Sequence, residues 1–253
     1  MDRTLRAAII AAVLVGASQP AAAQGREWTD RVFTSVSFGF EGGTAEVADN
    51  RTFTVYGEDA TISSKSRFKT DGIIDVAAGV RAWRNLGVAL AYHAESTTGT
   101  ADVQGSIPHP IFFDRPRNFS ENIDGIDRDE QATHLQIGWM VPFNDKLDVF
   151  LYAGPSFFRL SQELIVDVTV AEQPPAFTNV VVQANVDVRK RNTTGYNVGA
   201  DVSYMLYSND SVRLGVGGFL RLTRATADIA LANSSVETTL GGVQAGIGAR
   251  VRF

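Results

Sequence analysis

The sequence predicts an all-β fold, an eight-stranded antiparallel up-and-down transmembrane β-barrel, and three observations predict it. Eight segments alternate with period 2, which sends successive side chains to opposite sides of a strand. In each segment one parity is free of charge, while the other carries glycine, small residues and ions. Tight turns and long connections alternate between the segments, as in a barrel with short turns at one rim and long loops at the other.

The first segment, VFTSVSFGFE (32–41), sets Val32, Thr34, Val36, Phe38 and Phe40 against Ser35, Ser37, Gly39 and Glu41. In the second, IIDVAAGVRAW (73–83), Ile74, Val76, Ala78, Val80 and Ala82 oppose Asp75, Ala77, Gly79 and Arg81. The third, LGVALAYHAE (86–95), places Leu86, Val88, Leu90 and Tyr92 opposite Gly87, Ala89, Ala91, His93 and Glu95. THLQIGWMVPF (133–143) sets Leu135, Ile137, Trp139, Val141 and Phe143 against His134, Gln136, Gly138 and Met140. In LDVFLYAGPSFF (147–158), Leu147, Val149, Leu151 and Ala153 face away from Asp148, Phe150, Tyr152 and Gly154, and Pro155 and Arg159 disturb the parity, which predicts a bulge there. GYNVGADVSYML (195–206), VRLGVGGFLRL (212–222) and the terminal VQAGIGARVRF (243–253) repeat the grammar, the last with Arg250 and Arg252 on its polar side.

Arg84-Asn85, Asn144-Asp145-Lys146 and Ser208-Asn209-Asp210 are turn chemistry. The connections 42–72, 96–132 and 159–194 are far longer than ordinary loops. Within them RTFTVYG (51–57) and ATISSKSRF (60–68), around Glu58-Asp59, read as a hairpin continuing the first two strands. Residues 165–170 and 179–188, around Pro174-Pro175, do the same for the fifth and sixth.

The polar parity carries five acids, Glu41, Asp75, Glu95, Asp148 and Asp201, and five bases, Arg81, Arg213, Arg221, Arg250 and Arg252. A barrel rolled with its apolar side outward faces lipid and encloses these ten as a charge network, since buried ions must be paired. An eight-stranded lumen is just wide enough for side chains to fill it, and inner glycines relieve the crowding. The opposite roll, a soluble periplasmic lipocalin-like barrel, puts the ions outside, where the glycines have no crowding to relieve.

Residues 1–23 have the form of a cleaved export signal: Arg3 and Arg6, a short apolar run, then Ala21-Ala22-Ala23 before Gln24. Residues 24–31 then form an N-terminal extension and 32–253 the barrel. The run from Ala7 to Ala17 is too short to span a bilayer as a helix. There is no cysteine, hence no disulfide and no lipid attachment to a cysteine. The net charge of −5, with no clustered basic run, leaves no footprint for nucleic acid.

With the export signal, the alternating strands, "YAGPSFF", "YNVGADVSYML" and the ending "GARVRF", the chain resembles the small eight-stranded outer-membrane β-barrel proteins of Gram-negative bacteria, the OmpA-like and OmpX-like porin-family barrels, over nearly all of residues 32–253. The resemblance implies outer-membrane localisation, contact with outer-membrane lipid and lipopolysaccharide, and a terminal signal for the barrel-assembly machinery at Phe253, Val251, Ala249 and Ile247. It also implies a structural, adhesive or defensive role. Nothing after the barrel resembles a peptidoglycan-binding domain, so tethering to the cell wall is not expected.

The stretch GSIPHPIFFDRPRNF (105–119) is stiffened by Pro108, Pro110 and Pro116. Ile111, Phe112, Phe113, Arg115 and Arg117 are candidate recognition residues for a surface ligand or for lipopolysaccharide phosphates. The favoured expectation is that the cluster folds back to cap the barrel mouth, because exposed apolar patches of this kind are uncommon. His93 and His134 share the inner parity, with Glu95 and Ser96 near the first, a conceivable constellation for lipid A-modifying catalysis. A hydrogen-bonded lumen network accounts for the histidines better. No His/Asp/Glu cluster shows metal-ligand spacing along the chain, and no cofactor is expected. The sequence therefore points to a non-enzymatic outer-membrane barrel with a structural or surface-interaction role through long extracellular loops, and a narrow solute channel is the alternative.

Overall fold

The computed structural model describes residues 27–69, 72–175, 177–230 and 235–253; the export signal expected at residues 1–23 lies outside the described residues. The strands are β1 (Val32–Gly42), β2 (Thr44–Val55), β3 (Glu58–Lys69), β4 (Gly72–Trp83), β5 (Leu86–Ile107), β6 (Arg117–Pro142), β7 (Leu147–Glu172), β8 (Val180–Ser208), β9 (Arg213–Ala230), β10 (Ser235–Leu240) and β11 (Val243–Arg252). No helix occurs among the described residues. Antiparallel ladders run β1–β4–β5–β6–β7–β8–β9–β11 and return from β11 to β1, closing a ring of eight.

Closure begins and ends at one rim. The amide of Phe253 donates to the carbonyl of Val32 at 2.9 Å, and the carbonyl of Phe253 accepts from Arg31 and Val32. The turns at this rim are built by side chains that mimic backbone: Asn144 Oδ1 accepts from Lys146 N and Leu147 N, and Asn209 Oδ1 accepts from Ser211 N and Val212 N.

The sheet rolls with its apolar side outward. Leu214, Val198 and Ile137 are exposed on the outer face, while Arg250, Arg252 and Arg221 are buried inside, which overturns the lipocalin-like roll. The outward belt is bounded by aromatics, with Trp83, Phe143, Tyr207 and Phe253 near the short-turn rim and Phe40, Tyr92, Phe157 and Tyr196 at the other edge. Two such girdles mark the lipid interfaces of a transmembrane barrel.

The strands do not stop at the upper girdle. A tilted strand crosses hydrocarbon in about 9–11 residues, whereas β5 has 22, β6 and β7 have 26 each and β8 has 29. Residues 96–132 are therefore mostly strand rather than loop, and the tip shrinks to 108–116. Beyond the upper girdle the two faces exchange polarity. Along β7 the inward residues change from Asp148 and Ser156 to Phe158, Leu160 and Leu164, and the outward ones from Leu151 and Phe157 to Arg159. On β9 the inward Arg221 gives way to Ala225, Ala227 and Ile229, and the outward Leu222 to Arg224 and Asp228. Where water replaces lipid outside, the interior becomes an ordinary apolar core, made of one cluster around Leu160, Leu164 and Leu240 and another around Phe68, Val103 and Ile126.

Two expectations change in detail. The β2–β3 hairpin turns at Tyr56-Gly57, both with positive φ, rather than at Glu58-Asp59, and β3 pairs with β5 as well as with β2. The hairpin of β7 and β8 reaches its turn around Pro174-Pro175 as expected. Pro155 makes no bulge: the β6–β7 register is the same before and after it, and only the ladder contacts around it lapse, because proline has no amide hydrogen. Arg159 keeps the outward parity, above the lipid belt. Irregularities lie instead at Arg81/Trp83, Gly99/Thr100, Ile165/Asp167 and Met205/Tyr207.

Inner glycines prove to have two causes. A Cβ on Gly79 would sit 2.3 Å from the Phe33 ring, the crowding across a filled lumen that the sequence implies. A Cβ on Gly248 would instead sit 1.9 Å from the carbonyl of Val36, so that position is closed by the neighbouring backbone.

Candidate functional site

Two regions gather the polar chemistry: the lumen, filled in tiers, and the extracellular summit. At the short-turn end the lumen is stopped by Trp28, from the segment preceding β1, which is 2% exposed. Its amide donates to Asn85 Oδ1 at 3.1 Å and its indole N–H to Asp30 at 3.1 Å. Phe33 meets it edge-on at 5.5 Å, and Phe150 meets Phe33 at 5.2 Å. The Arg81 guanidinium donates to the carbonyl of Trp28, and Arg213 pairs with Asp30 at 2.7 Å. Both arginines thus hold the N-terminal segment in place at the rim.

Above this plug the remaining arginines of the predicted network find acids across the lumen: Arg252 with Asp148 at 2.5 Å, Arg250 with Asp201 at 2.6 Å and Arg221 with Asp75 at 2.6 Å. Each pair joins two strands that are not neighbours in the ring, so the contacts span the lumen; Arg250 on β11 also donates to Ser37 on the adjacent β1 at 2.8 Å. The gap among Asp75, Asp201, Arg250 and Tyr152 measures about 30 Å³. That is room for about two waters, so this tier is filled rather than open.

Glu41 and Glu95 take part in a third tier at the upper girdle, with residues that spacing along the chain does not single out. Gln244 is fixed by Arg221, whose Nε donates to its Oε1 at 2.6 Å, and its Nε2 donates to Glu41 at 2.5 Å. Arg128 pairs with Glu130 at 2.9 Å and donates to Gln162 at 2.7 Å. Both Arg128 and Glu130 belong to a stretch of β6 that the sequence presents as loop. His93 and His134 are hydrogen-bonded to each other at 2.8 Å with ring planes 13° apart, and His134 Nδ1 lies 2.7 Å from Ser156 Oγ. The serine beside the histidines is Ser156, which is fully buried; Ser96 faces outward, so the His93–Glu95–Ser96 constellation does not form.

At the summit, the tips of three hairpins are tied into one body. Arg117 donates to both carboxylate oxygens of Glu172, at 2.5 and 2.8 Å, to the carbonyl of Pro108 at 2.7 Å and to that of Phe177 at 3.0 Å. Tyr56 from the β2–β3 turn donates to the same glutamate at 3.1 Å, and Glu58 accepts from the amide of Asp114 at 3.0 Å. The Arg117 partnership holds the Glu172 carboxyl below its usual range and the guanidinium above its own. Arg117 is thus a buried clamp rather than a free recognition residue. His109 Nδ1 accepts from the amides of Ile111 and Phe112 and shapes the loop. Ile111, Phe112 and Phe113 project outward, 63%, 53% and 79% exposed, with the Arg115 guanidinium 5.5 Å from the Phe112 ring. The cluster does not fold back over the mouth, because apolar residues of the strand extensions already fill that interior.

No family model matches the chain, and no curated protein matches it in sequence. Solved structures do share its architecture. The outer membrane protein OprG of Pseudomonas aeruginosa is 11% identical, with a TM-score of 0.50, over 91% of this chain and 98% of that one. Neisserial surface protein A is 15% identical, with a TM-score of 0.38, over 88% and 97%. The outer membrane protease OmpT of Escherichia coli is 10% identical, with a TM-score of 0.38, over 90% and 98%. The chain is a small eight-stranded outer-membrane β-barrel, and the outer membrane is its location. A shared fold does not decide an activity.

Proposed function

We propose that this barrel is a non-enzymatic surface-interaction protein, which raises a rigid extracellular projection and engages a partner with the loop 108–116. The observation that carries this is the display of Ile111, Phe112 and Phe113 on a loop anchored to the two neighbouring hairpins. Holding a short apolar motif in one conformation lowers the ordering cost of binding, and an exposed apolar group on a polar surface is the usual mark of an interaction site. Arg115 beside it suits lipopolysaccharide phosphate or an anionic surface group. The filled lumen favours this role over a solute channel. At the other end, Phe253 with Val251, Ala249 and Ile247 is proposed as the element read by the barrel-assembly machinery.

The test is attachment of cells displaying the chain, on an adhesion-deficient Gram-negative host, to each other and to coated surfaces. The I111S/F112S/F113S variant should keep the heat-modifiable gel shift of a folded barrel and lose attachment. Unchanged attachment by a folded variant would overturn the proposal.

A further inference from the structure

The upper tier of the lumen holds a cluster with more acid than its one arginine neutralises: Glu130 pairs with Arg128 at 2.9 Å and accepts from the amide of Gly241 at 2.9 Å, while Glu41 accepts from the neutral Gln244 amide. One ligand atom each from Glu41, His93 and Glu130 lies within 4.8 Å of the other two, and all three residues are buried. They come from β1, β5 and β6, which explains why no spacing along the chain reveals them. A cavity of about 90 Å³ adjoins the cluster, lined by Glu41, Glu95, Glu130, Arg128 and Lys69. It has room for a hydrated cation. Lys69 stands at its exposed end, so the buried part carries more acid than base.

A second observation points independently to a cation. Arginine only donates, so the bond from Arg221 fixes the Gln244 amide with its NH2 group toward Glu41 and His93. His93 Nε2, 3.3 Å from that NH2, is therefore the unprotonated nitrogen of its ring. The proton sits on Nδ1 and is donated to His134 Nε2, and His134 in turn donates from Nδ1 to Ser156. The relay leaves a fully buried imidazole whose lone-pair nitrogen faces the Gln244 amide, with the Glu41 and Glu130 carboxylates close by. Among the described residues the donor that reaches it is the Gln244 amide, whose shorter bond goes to Glu41. A neutral imidazole held by a hydrogen bond on its other nitrogen is the usual state of a metal-ligating histidine.

We propose that Glu41, His93 and Glu130 bind a first-row divalent transition cation of the Zn2+ type, with the cavity beside Glu95 left for water or a fourth ligand. Mixed imidazole and carboxylate donors suit this class better than Mg2+ or Ca2+. A tetrahedral cation with bonds of about 2 Å holds its ligands about 3.4 Å apart, which small rotamer changes reach from the present spacing. The exposed Thr44 and Lys69 mark the way in, between the β1–β2 junction and the Gly241 turn that ends β10.

The experiment uses the mature chain refolded in detergent micelles and stripped with a chelator. Titration with ZnCl2 by calorimetry should give one site per folded chain. Glu41→Gln and Glu130→Gln should each weaken it by about tenfold or more, while Glu237→Gln, an exposed acid on β10, should leave it unchanged. Should the two variants fail to fold, Co2+ absorption and X-ray absorption on the wild-type chain provide the second reading, with one imidazole nitrogen and carboxylate oxygens expected. Absence of saturable binding to the folded wild type, equal affinity in folded variants, or a coordination shell without a histidine nitrogen would each overturn the proposal.

Discussion

Arg252 and Asp148 meet at 2.5 Å with both side chains 3% exposed, and the same guanidinium stands 5.8 Å from the ring of Trp28. The pair thus joins the last strand to β7 directly above the plug. Two ions so far from water are stable only as a pair, because a single partner left behind is an uncompensated buried charge. Asp148→Asn should lower barrel stability by about 3–5 kcal/mol, and a double replacement of both residues by apolar ones should recover much of the loss. Urea unfolding followed by the heat-modifiable band reads both values, and an additive double variant would contradict the pairing.

Trp28 closes the lumen from a segment that belongs to no strand. Trp28→Ala removes a buried aromatic, with an expected loss of about 3–5 kcal/mol if the plug folds cooperatively with the barrel. The diagnostic result is local: residues 27–31 should become open to protease while the barrel stays folded, because the segment would lose its ring contact with Phe33 and its indole bond to Asp30, leaving the polar contacts of Asn85, Arg81 and Arg213 to hold it. Mass spectrometry after limited proteolysis distinguishes this from global unfolding.

The membrane-spanning strands were legible because lipid imposes one rule on all eight: outward residues apolar, inward ones free to be polar. The roll of the sheet followed from the glycines on the ionic face, as Gly79 against Phe33 illustrates. The strand extensions were legible only in part, since that rule reverses at the upper girdle. Val103 and Ile229 occupy the parity that lower down carries His93 and Arg221, and a pattern read with one fixed polarity ends where the polarity changes. Arg117 looked like a solvent-facing recognition residue because its partner Glu172 lies 55 residues away on another hairpin. The Glu41, His93 and Glu130 cluster was hidden for the same reason: it depends on strand register, not on spacing.

The summit should respond to acid. The Glu172 carboxyl is held below its usual range, first by the hydrogen bond from Arg117, so its stabilising contribution is complete above the ordinary glutamate pKa and fades as pH falls through the lowered value. Hydrogen exchange in residues 108–116, taken relative to the intrinsic amide rate at each pH, should be flat from neutral pH down to about pH 5 and should rise below about pH 4. In Glu172→Gln the exchange should be faster at neutral pH and should lose this acid-dependent rise. A wild-type loop that loosened only above neutral pH would mean that Arg117 is not held through this carboxylate.

The height of the lipid belt gives the most direct test of where the polarity exchange falls. Val202 on β8 pairs with Gly218 on β9, midway between the aromatic girdles, and faces outward. Val188 faces outward too, on the same strand, but above Tyr196 and the upper girdle. Both are exposed to a similar degree, 43% and 46%, so accessibility alone predicts equal tolerance of charge. The solvent differs, however. Val202→Arg should destabilise the refolded barrel in lipid vesicles by about 2–4 kcal/mol, the depth-dependent cost of arginine at a bilayer midplane, whereas Val188→Arg should change stability by about 0–1 kcal/mol. In unfolding titrations, equal losses would place both residues in one environment and move the boundary away from Phe40, Tyr92, Phe157 and Tyr196. A difference of the predicted size fixes it there, and with it the point at which the inward face turns from ion pairs to apolar core.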